Sequence, residues 1–154
     1  MTISSTYAEV AVALRAAPRV VVVAHENPDG DALGSLIGAT RGLRLAGLAA
    51  RAVIADAPPP REYRWLADGE VEVETGDGPY VLLAVDCGSA ARIAGPAGLL
   101  DGASLVVNVD HHHDNTRFGA LNVVDGAAPC ASIMVSRLLD ELAADLDLAT
   151  ATAL

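Results

Sequence analysis

Lysine is absent from the 154 residues, so all ten basic positions are arginine, set against twenty acidic ones for a net charge of −10. A broad electrostatic grip on nucleic acid is thereby disfavoured, because non-specific phosphate binding needs clustered positive charge. An acidic pocket remains open to anions, since bound divalent cations invert its local sign. Aromatic residues make up only 3%, which argues against a stacked-base platform. Packing is left to Val, Leu, Ile and Ala, the usual filling of a parallel sheet covered by helices. The two cysteines, Cys87 and Cys130, belong to no C-x-x-C pattern. Neither a disulfide framework nor a zinc knuckle is indicated, and a reducing compartment fits. No apolar run approaches the thickness of a bilayer, and the first residues, MTISSTYAEV, hold no basic region before an apolar stretch. The reading is a cytoplasmic protein without a membrane partner.

What is present is 52% hydrophobic and 19% charged residues with 14 glycines, the profile of one folded domain with a sizeable core. Thr6-Tyr7-Ala8-Glu9 has the form of a capping box and predicts a helix running to about Pro18. Arg19 to Ala24, with four consecutive valines, reads as a strand buried on both faces. A polar loop from His25 to Gly30 follows, then a helical repeat from Ala32 to near Gly47. Ala50 to Ala55 predicts a second strand, Pro58-Pro59-Pro60 a turn, Arg61 to Ala67 a short helix and Val71 to Glu74 an edge strand. Tyr80 to Val85, Ser104 to Val109 and Leu121 to Val124 read as further strands, Pro129 to Ala144 as a helix and Asp147 to Leu154 as the start of another. Strands alternating with helices predict an α/β fold, a mostly parallel sheet with helices on both faces. Arg41, Arg44, Arg61 and Arg64 read as solvated helix faces.

Three of the strongest strands end in acidic or imidazole side chains: His25-Glu26-Asn27-Pro28-Asp29-Gly30-Asp31, Asp86-Cys87-Gly88 and Asp110-His111-His112-His113. Singly, an Asp-x-Asp in a glycine loop is most often a turn or a helix cap, and a His-His pair is most often surface or core. In a parallel sheet, however, all strand carboxyl ends lie on one edge, so the three groups converge. Carboxylates brought together resist ionisation unless cations neutralise them. Oxygen ligands mixed with imidazole suit Mn²⁺, with Mg²⁺, Fe²⁺, Co²⁺ or Zn²⁺ as alternatives. A shared carboxylate could hold a pair of metals roughly 3.5–4 Å apart, as in phosphoryl hydrolases.

Together the motifs HENPDGDALGS (His25 to Ser35), AVDCGSAAR (Ala84 to Arg92), VDHHHDNTRFG (Val109 to Gly119) and NVVDGAAPCAS (Asn122 to Ser132) resemble the DHH phosphoesterase family, over roughly residues 19 to 154. Within it the chain is most similar to the bifunctional oligoribonuclease and phosphoadenosine-phosphate phosphatase group. The resemblance implies two divalent metal ions, foremost Mn²⁺ with Mg²⁺ as the other candidate. His25, Asp29 and Asp86 would hold one, and Asp31, Asp86 and His111 the other, with Asp86 shared. It implies that His112 contacts the substrate phosphate and that Asp110 orients an imidazole from behind. Asn115, Arg117 and Ser35 are candidate substrate contacts, Ser35 because a helix opens there. His113 has a weaker claim, and Asp125, Cys87 and Cys130 read as structural.

Family members carry a further metal-binding Asp after the helix that begins near Leu148, and a smaller C-terminal domain that closes over the cleft. Residues 1–154 are therefore expected to be a single DHH-type catalytic domain, incomplete at its C-terminus and without the substrate-binding domain. The leading expectation is two-metal hydrolysis of short RNA or of small nucleotides such as 3′-phosphoadenosine 5′-phosphate, with a homodimer left open. A manganese-dependent inorganic pyrophosphatase is the enzyme alternative. A nucleotide-binding module without turnover, or a plain α/β binding domain without metal, represents the non-enzyme class.

Overall fold

The computed structural model describes residues 4–55, 59–67 and 69–154. Part of the expected proline turn, Pro58, lies outside the described residues. Helix α1 (Tyr7–Ala16) opens on the capping box: the Thr6 hydroxyl accepts from the Glu9 N–H at 3.2 Å, and the Glu9 carboxylate accepts from the Thr6 N–H at 2.8 Å. The six strands are β1 (Val20–Val23), β2 (Ala50–Val53), β3 (Val71–Glu72), β4 (Val81–Val85), β5 (Leu105–Asp110) and β6 (Leu121–Val124), all parallel in the order β3-β2-β1-β4-β5-β6. Helix α2 (Gly30–Leu45) joins β1 to β2. A 3-10 turn (Arg61–Tyr63) and α3 (Arg64–Ala67) join β2 to β3, while α4 (Ala131–Glu141) and α5 (Leu148–Ala153) follow β6. Strands β1 and β4 are buried along their whole length, which is why they read as unbroken apolar runs instead of alternating ones.

The strand order reverses direction between β1 and β4. Right-handed crossovers then send the connections on the two sides of that point to opposite faces of the sheet, and the crevice at the carboxyl ends between β1 and β4 is where such folds bind ligands. Two separate cores reflect this. One packs Val20, Val22, Leu83, Val107 and Val109 beneath α1, α2 and α4. The other packs Val21, Val23, Leu82 and Ala84 beneath Cys87, Leu99 and the partly buried Ile93 and Phe118. The expected cover of helices on both faces is thus lopsided. The second face carries a 3-10 turn (Ala90–Arg92) and irregular chain, because the β4–β5 connection contains Gly88, Gly95, Pro96, Gly98 and Gly102, poor material for a helix. Arg41 departs from the solvated-face reading, being half-buried and holding Glu70 at 3.2 Å, while the exposed Arg44 reaches the same carboxylate at 3.0 Å.

Helix α2 is packed unusually closely along Gly34, Gly38 and Gly42. A Cβ at these positions would collide with the Ala153 carbonyl, the Leu154 side chain and the Leu139 side chain respectively. Four-residue spacing places them on one face of α2, and there α4 and α5 lie against it. Gly42→Ala is therefore expected to destabilise the chain by about 1–2 kcal/mol in urea unfolding, the overpacking of Leu139 outweighing the roughly 1 kcal/mol that alanine gains in a helix.

Candidate metal centre

Asp86 directly follows β4, and its φ of +53° puts a non-glycine residue in the left-handed region. That conformation costs energy and tends to persist where a site requires it. Here it ends the strand while the Asp86 N–H still donates to the Val109 carbonyl at 3.0 Å. The carboxylate is 2% exposed and three imidazoles surround it: His25 Nε2 at 3.5 Å from Oδ2, His111 Nε2 at 3.4 Å and His112 Nδ1 at 3.6 Å from Oδ1. Oδ1 is buried without a hydrogen-bond partner, a costly arrangement for a carboxylate oxygen unless a cation completes it. Ligands about 2.1 Å from a common ion at tetrahedral to octahedral angles stand about 3.0–3.5 Å apart. The His25 and His111 separations, 3.5 and 3.4 Å, match that spacing.

The imidazoles are held from behind. His25 Nδ1 lies 2.7 Å from the Glu26 carbonyl and His111 Nδ1 lies 3.3 Å from the Ala128 carbonyl. Each contact keeps the proton on Nδ1 and leaves Nε2 free to ligate. Burial of His25 is enforced by a bridge to Ile93 and by the Glu26 N–H donating to the Arg92 carbonyl at 2.7 Å. The Asp86 carboxylate raises the His25 pKa above its ordinary value, against the opposing effect of burial.

Asp29 and Asp31 each have two employments. Asp29 caps α2, its Oδ1 accepting from the Ala32 N–H at 3.0 Å while standing 4.0 Å from His25 Nε2. Asp31 caps α4 from a distance of a hundred residues, accepting from the Ala131 N–H at 2.8 Å and the Ser132 N–H at 3.0 Å, with Oδ2 3.5 Å from His111 Nε2. Cys130, at the formal cap position of α4, supplies no side-chain cap of its own.

Among the described residues, His25, Asp29 and Asp86 form one group with ligand atoms in mutual reach. The second such group joins Asp86 and His111 to His112. Asp31 approaches that group through His111.

Asp110 is fully buried and accepts from His112 Nδ1 at 2.8 Å and from the Asn115 amide at 2.5 Å. It therefore fixes the His112 ring and is closed off from solvent. Two expected substrate contacts turn inward. The Asn115 amide also reaches Asn108 Oδ1 at 2.8 Å, and its Oδ1 accepts from the Arg117 N–H at 2.6 Å. Ser35 is fully buried in α2 with its hydroxyl 3.4 Å from Asp31 Oδ1. Ser35, fully buried, must find its partner within the protein, and the half-buried Asn115 spends its amide on Asp110, Asn108 and the Cys87 carbonyl. Arg117, the third, has φ +52° and a buried Nη1 without a partner, and His113 is exposed.

Asn108 escaped the sequence reading. It is fully buried in β5, donating to the Ala84 and Cys87 carbonyls at 3.3 and 3.1 Å. The available signal was a polar residue interrupting an apolar strand (LVVNVD). An apolar cavity of about 310 Å³ opens beside His25, lined by Leu33, Leu36, Ile54, Pro59, Pro60 and Ala94 among others. Among the described residues no helix is long and apolar enough to cross a membrane.

Fold and site together define an α/β domain whose Asp and His side chains could hold a metal ion at the carboxyl edge of a parallel sheet. The chain belongs to the DHH family: the pattern of that family's N-terminal domain matches residues 19–154. One relative is the bifunctional oligoribonuclease and PAP phosphatase NrnA of Thermus thermophilus, 36% identical over 126 residues, which is 80% of this chain and 37% of that protein. The chain thus spans little more than a third of this curated relative. An exopolyphosphatase-related protein from Bacteroides fragilis superposes with a TM-score of 0.80 over 99% of this chain and 49% of that one, at 19% identity. That likeness speaks for the fold.

Two outcomes follow from the geometry. Asp31→Ala removes the cap of α4 and is expected to cost about 0.5–2 kcal/mol in urea unfolding measured without added metal. Burial pushes the Cys87 thiol up to about 12, so it stays protonated at pH 8. Iodoacetamide treatment of the folded chain followed by peptide mass mapping is expected to leave Cys87 unmodified, and to modify it once urea has unfolded the chain.

Proposed function

We propose that this domain is the metal-binding half of a phosphoesterase that hydrolyses short oligoribonucleotides or small nucleotides such as 3′-phosphoadenosine 5′-phosphate. The buried Asp86 oxygen without a donor, ringed by imidazoles, carries the reading, and family membership supports it. The substrate class is drawn from the Thermus relative. His25, Asp29 and Asp86 would hold one divalent ion, with Asp31, Asp86 and His111 around the second. The oxygen and nitrogen donors favour Mn²⁺ over Ca²⁺. Bound there, the ions would neutralise phosphoryl oxygens and acidify water.

The chain's own side chains supply the rest. Asp110 fixes the Nδ1 proton of His112, so Nε2 is the atom left to face a phosphoryl oxygen and, when protonated, to donate to its developing charge. Asn115 and Asn108 lock Asp110, which keeps His112 from swinging out. Asp86, anchored in the sheet, sets the spacing of the imidazoles on either side. The apolar cavity beside His25 offers dry space for the organic part of a nucleotide.

The test uses the full-length protein with Mn²⁺. Wild type is expected to release phosphate from 3′-phosphoadenosine 5′-phosphate and mononucleotides from diadenylate. Asp86→Asn is expected to lower both rates by at least roughly 10²-fold and to abolish the Mn²⁺ heat in calorimetry. Equal heats for the two proteins would remove the metal site, and turnover of pyrophosphate alone would overturn the substrate class.

A further inference from the structure

The motif from Ala84 to Arg92 contributes Asp86 to the cluster, but its last residue has so far had no employment. Arg92 closes the 3-10 turn on the second face of the sheet, and its backbone is fixed there. Its N–H donates to the Ser89 carbonyl at 3.1 Å, its own carbonyl accepts from the Glu26 N–H at 2.7 Å, and the next residues pair with β1's extension through Ile93–His25 and the Ala94 N–H to the Ala24 carbonyl at 3.0 Å. The side chain is exposed, on the segment whose backbone pairs with the chain beside His25.

Several other arginines are committed elsewhere, although Arg117, in the β5–β6 loop, also keeps a buried Nη1 without a partner. Arg15 and Arg19 hold backbone carbonyls, and Arg41, Arg44 and Arg51 hold glutamates. Among the described residues the Arg92 guanidinium takes no hydrogen-bond or ion-pair partner, although Glu26 and Asp29 are exposed on the neighbouring loop. In a chain of net charge −10, an arginine anchored by its backbone beside the loop that carries Glu26 and Asp29, yet taking no carboxylate, is placed to receive an anion.

We propose that Arg92 binds a phosphate flanking the scissile one, such as the terminal 5′-phosphate of a short oligonucleotide, and so selects 5′-phosphorylated substrates. This rests on the function proposed above. The Asp86 cluster and His112 serve the scissile group, whereas Arg92 stands on the His25 flank. There Glu26 and Asp29 would repel a second phosphate unless a cation met it. Arginine suits the task because its planar fork pairs with two phosphate oxygens at once.

The experiment measures kcat/KM of the full-length protein with Mn²⁺ on two dinucleotides, 5′-phosphorylated diadenylate and diadenylate lacking that phosphate, for wild type, Arg92→Ala and Arg92→Lys. Wild type is expected to prefer the phosphorylated form. Arg92→Ala should lower that preference about 10–100-fold, mainly through KM, and Arg92→Lys should retain part of it. Calorimetry with Mn²⁺ alone should give the same isotherm for all three proteins. A wild-type preference near one, an unchanged preference in Arg92→Ala, or a loss falling equally on both dinucleotides would overturn the assignment. Failure of wild type to cleave either dinucleotide would instead sink the phosphoesterase reading, and the role of Arg92 with it.

Discussion

The constraint on which the site depends is the burial of the Asp86 carboxylate. Strand β4 lies between β1 and β5 in the middle of the sheet, so the residue at its end has little water to fall back on. Removing a carboxylate from water is expensive and is offset only by opposite charge or a full set of donors. Here the donors are incomplete: Oδ1 has none, and the neighbouring imidazoles stand at ligand-like rather than hydrogen-bonding distances. The left-handed backbone at Asp86 adds further cost. A backbone and a carboxylate both held in unfavourable states at the switch point of the sheet are what a bound cation could stabilise.

The carboxylates of the first motif show how the fold shares its polar groups between structure and chemistry. A short Asp in a glycine loop is read as a cap or as a ligand, and Asp29 and Asp31 take positions compatible with both. Asp29 closes its own helix; Asp31 closes α4, tying the first motif to the last helix-forming segment. Because the helix N-termini lend partial positive charge to these carboxylates, the cluster tolerates more acidic groups than its size suggests. The helices are consequently held by the same residues that face the imidazoles.

Much of the fold was legible because burial on both faces writes itself directly into composition. Val20–Val23, Val81–Val85 and Leu105–Asp110 read as strands and are strands, and Thr6 with Glu9 forms the capping box that its spacing announces. The lopsided helical cover was less legible: strand–helix alternation shows that a connection exists, while the glycines between Gly88 and Gly102 decide what it is made of. Within the site, the resemblance of the motifs to the DHH family brought His25, Asp29, Asp31, Asp86 and His111 forward as ligands. It could not reveal that Ser35 and Asn115 turn inward, since a side chain's direction depends on neighbours far away in the chain.

The order of residues alone determined the parallel α/β architecture, the strand ends that carry the Asp and His side chains, and the convergence of those ends, because a parallel sheet places every carboxyl end on one edge. Only the tertiary structure decided how those side chains divide their work. Whether Asp31 caps α4, whether Asp110 reaches His112 or a substrate, and whether an arginine is left without a partner all depend on contacts between segments up to about a hundred residues apart. Such contacts follow from packing, which no local pattern encodes.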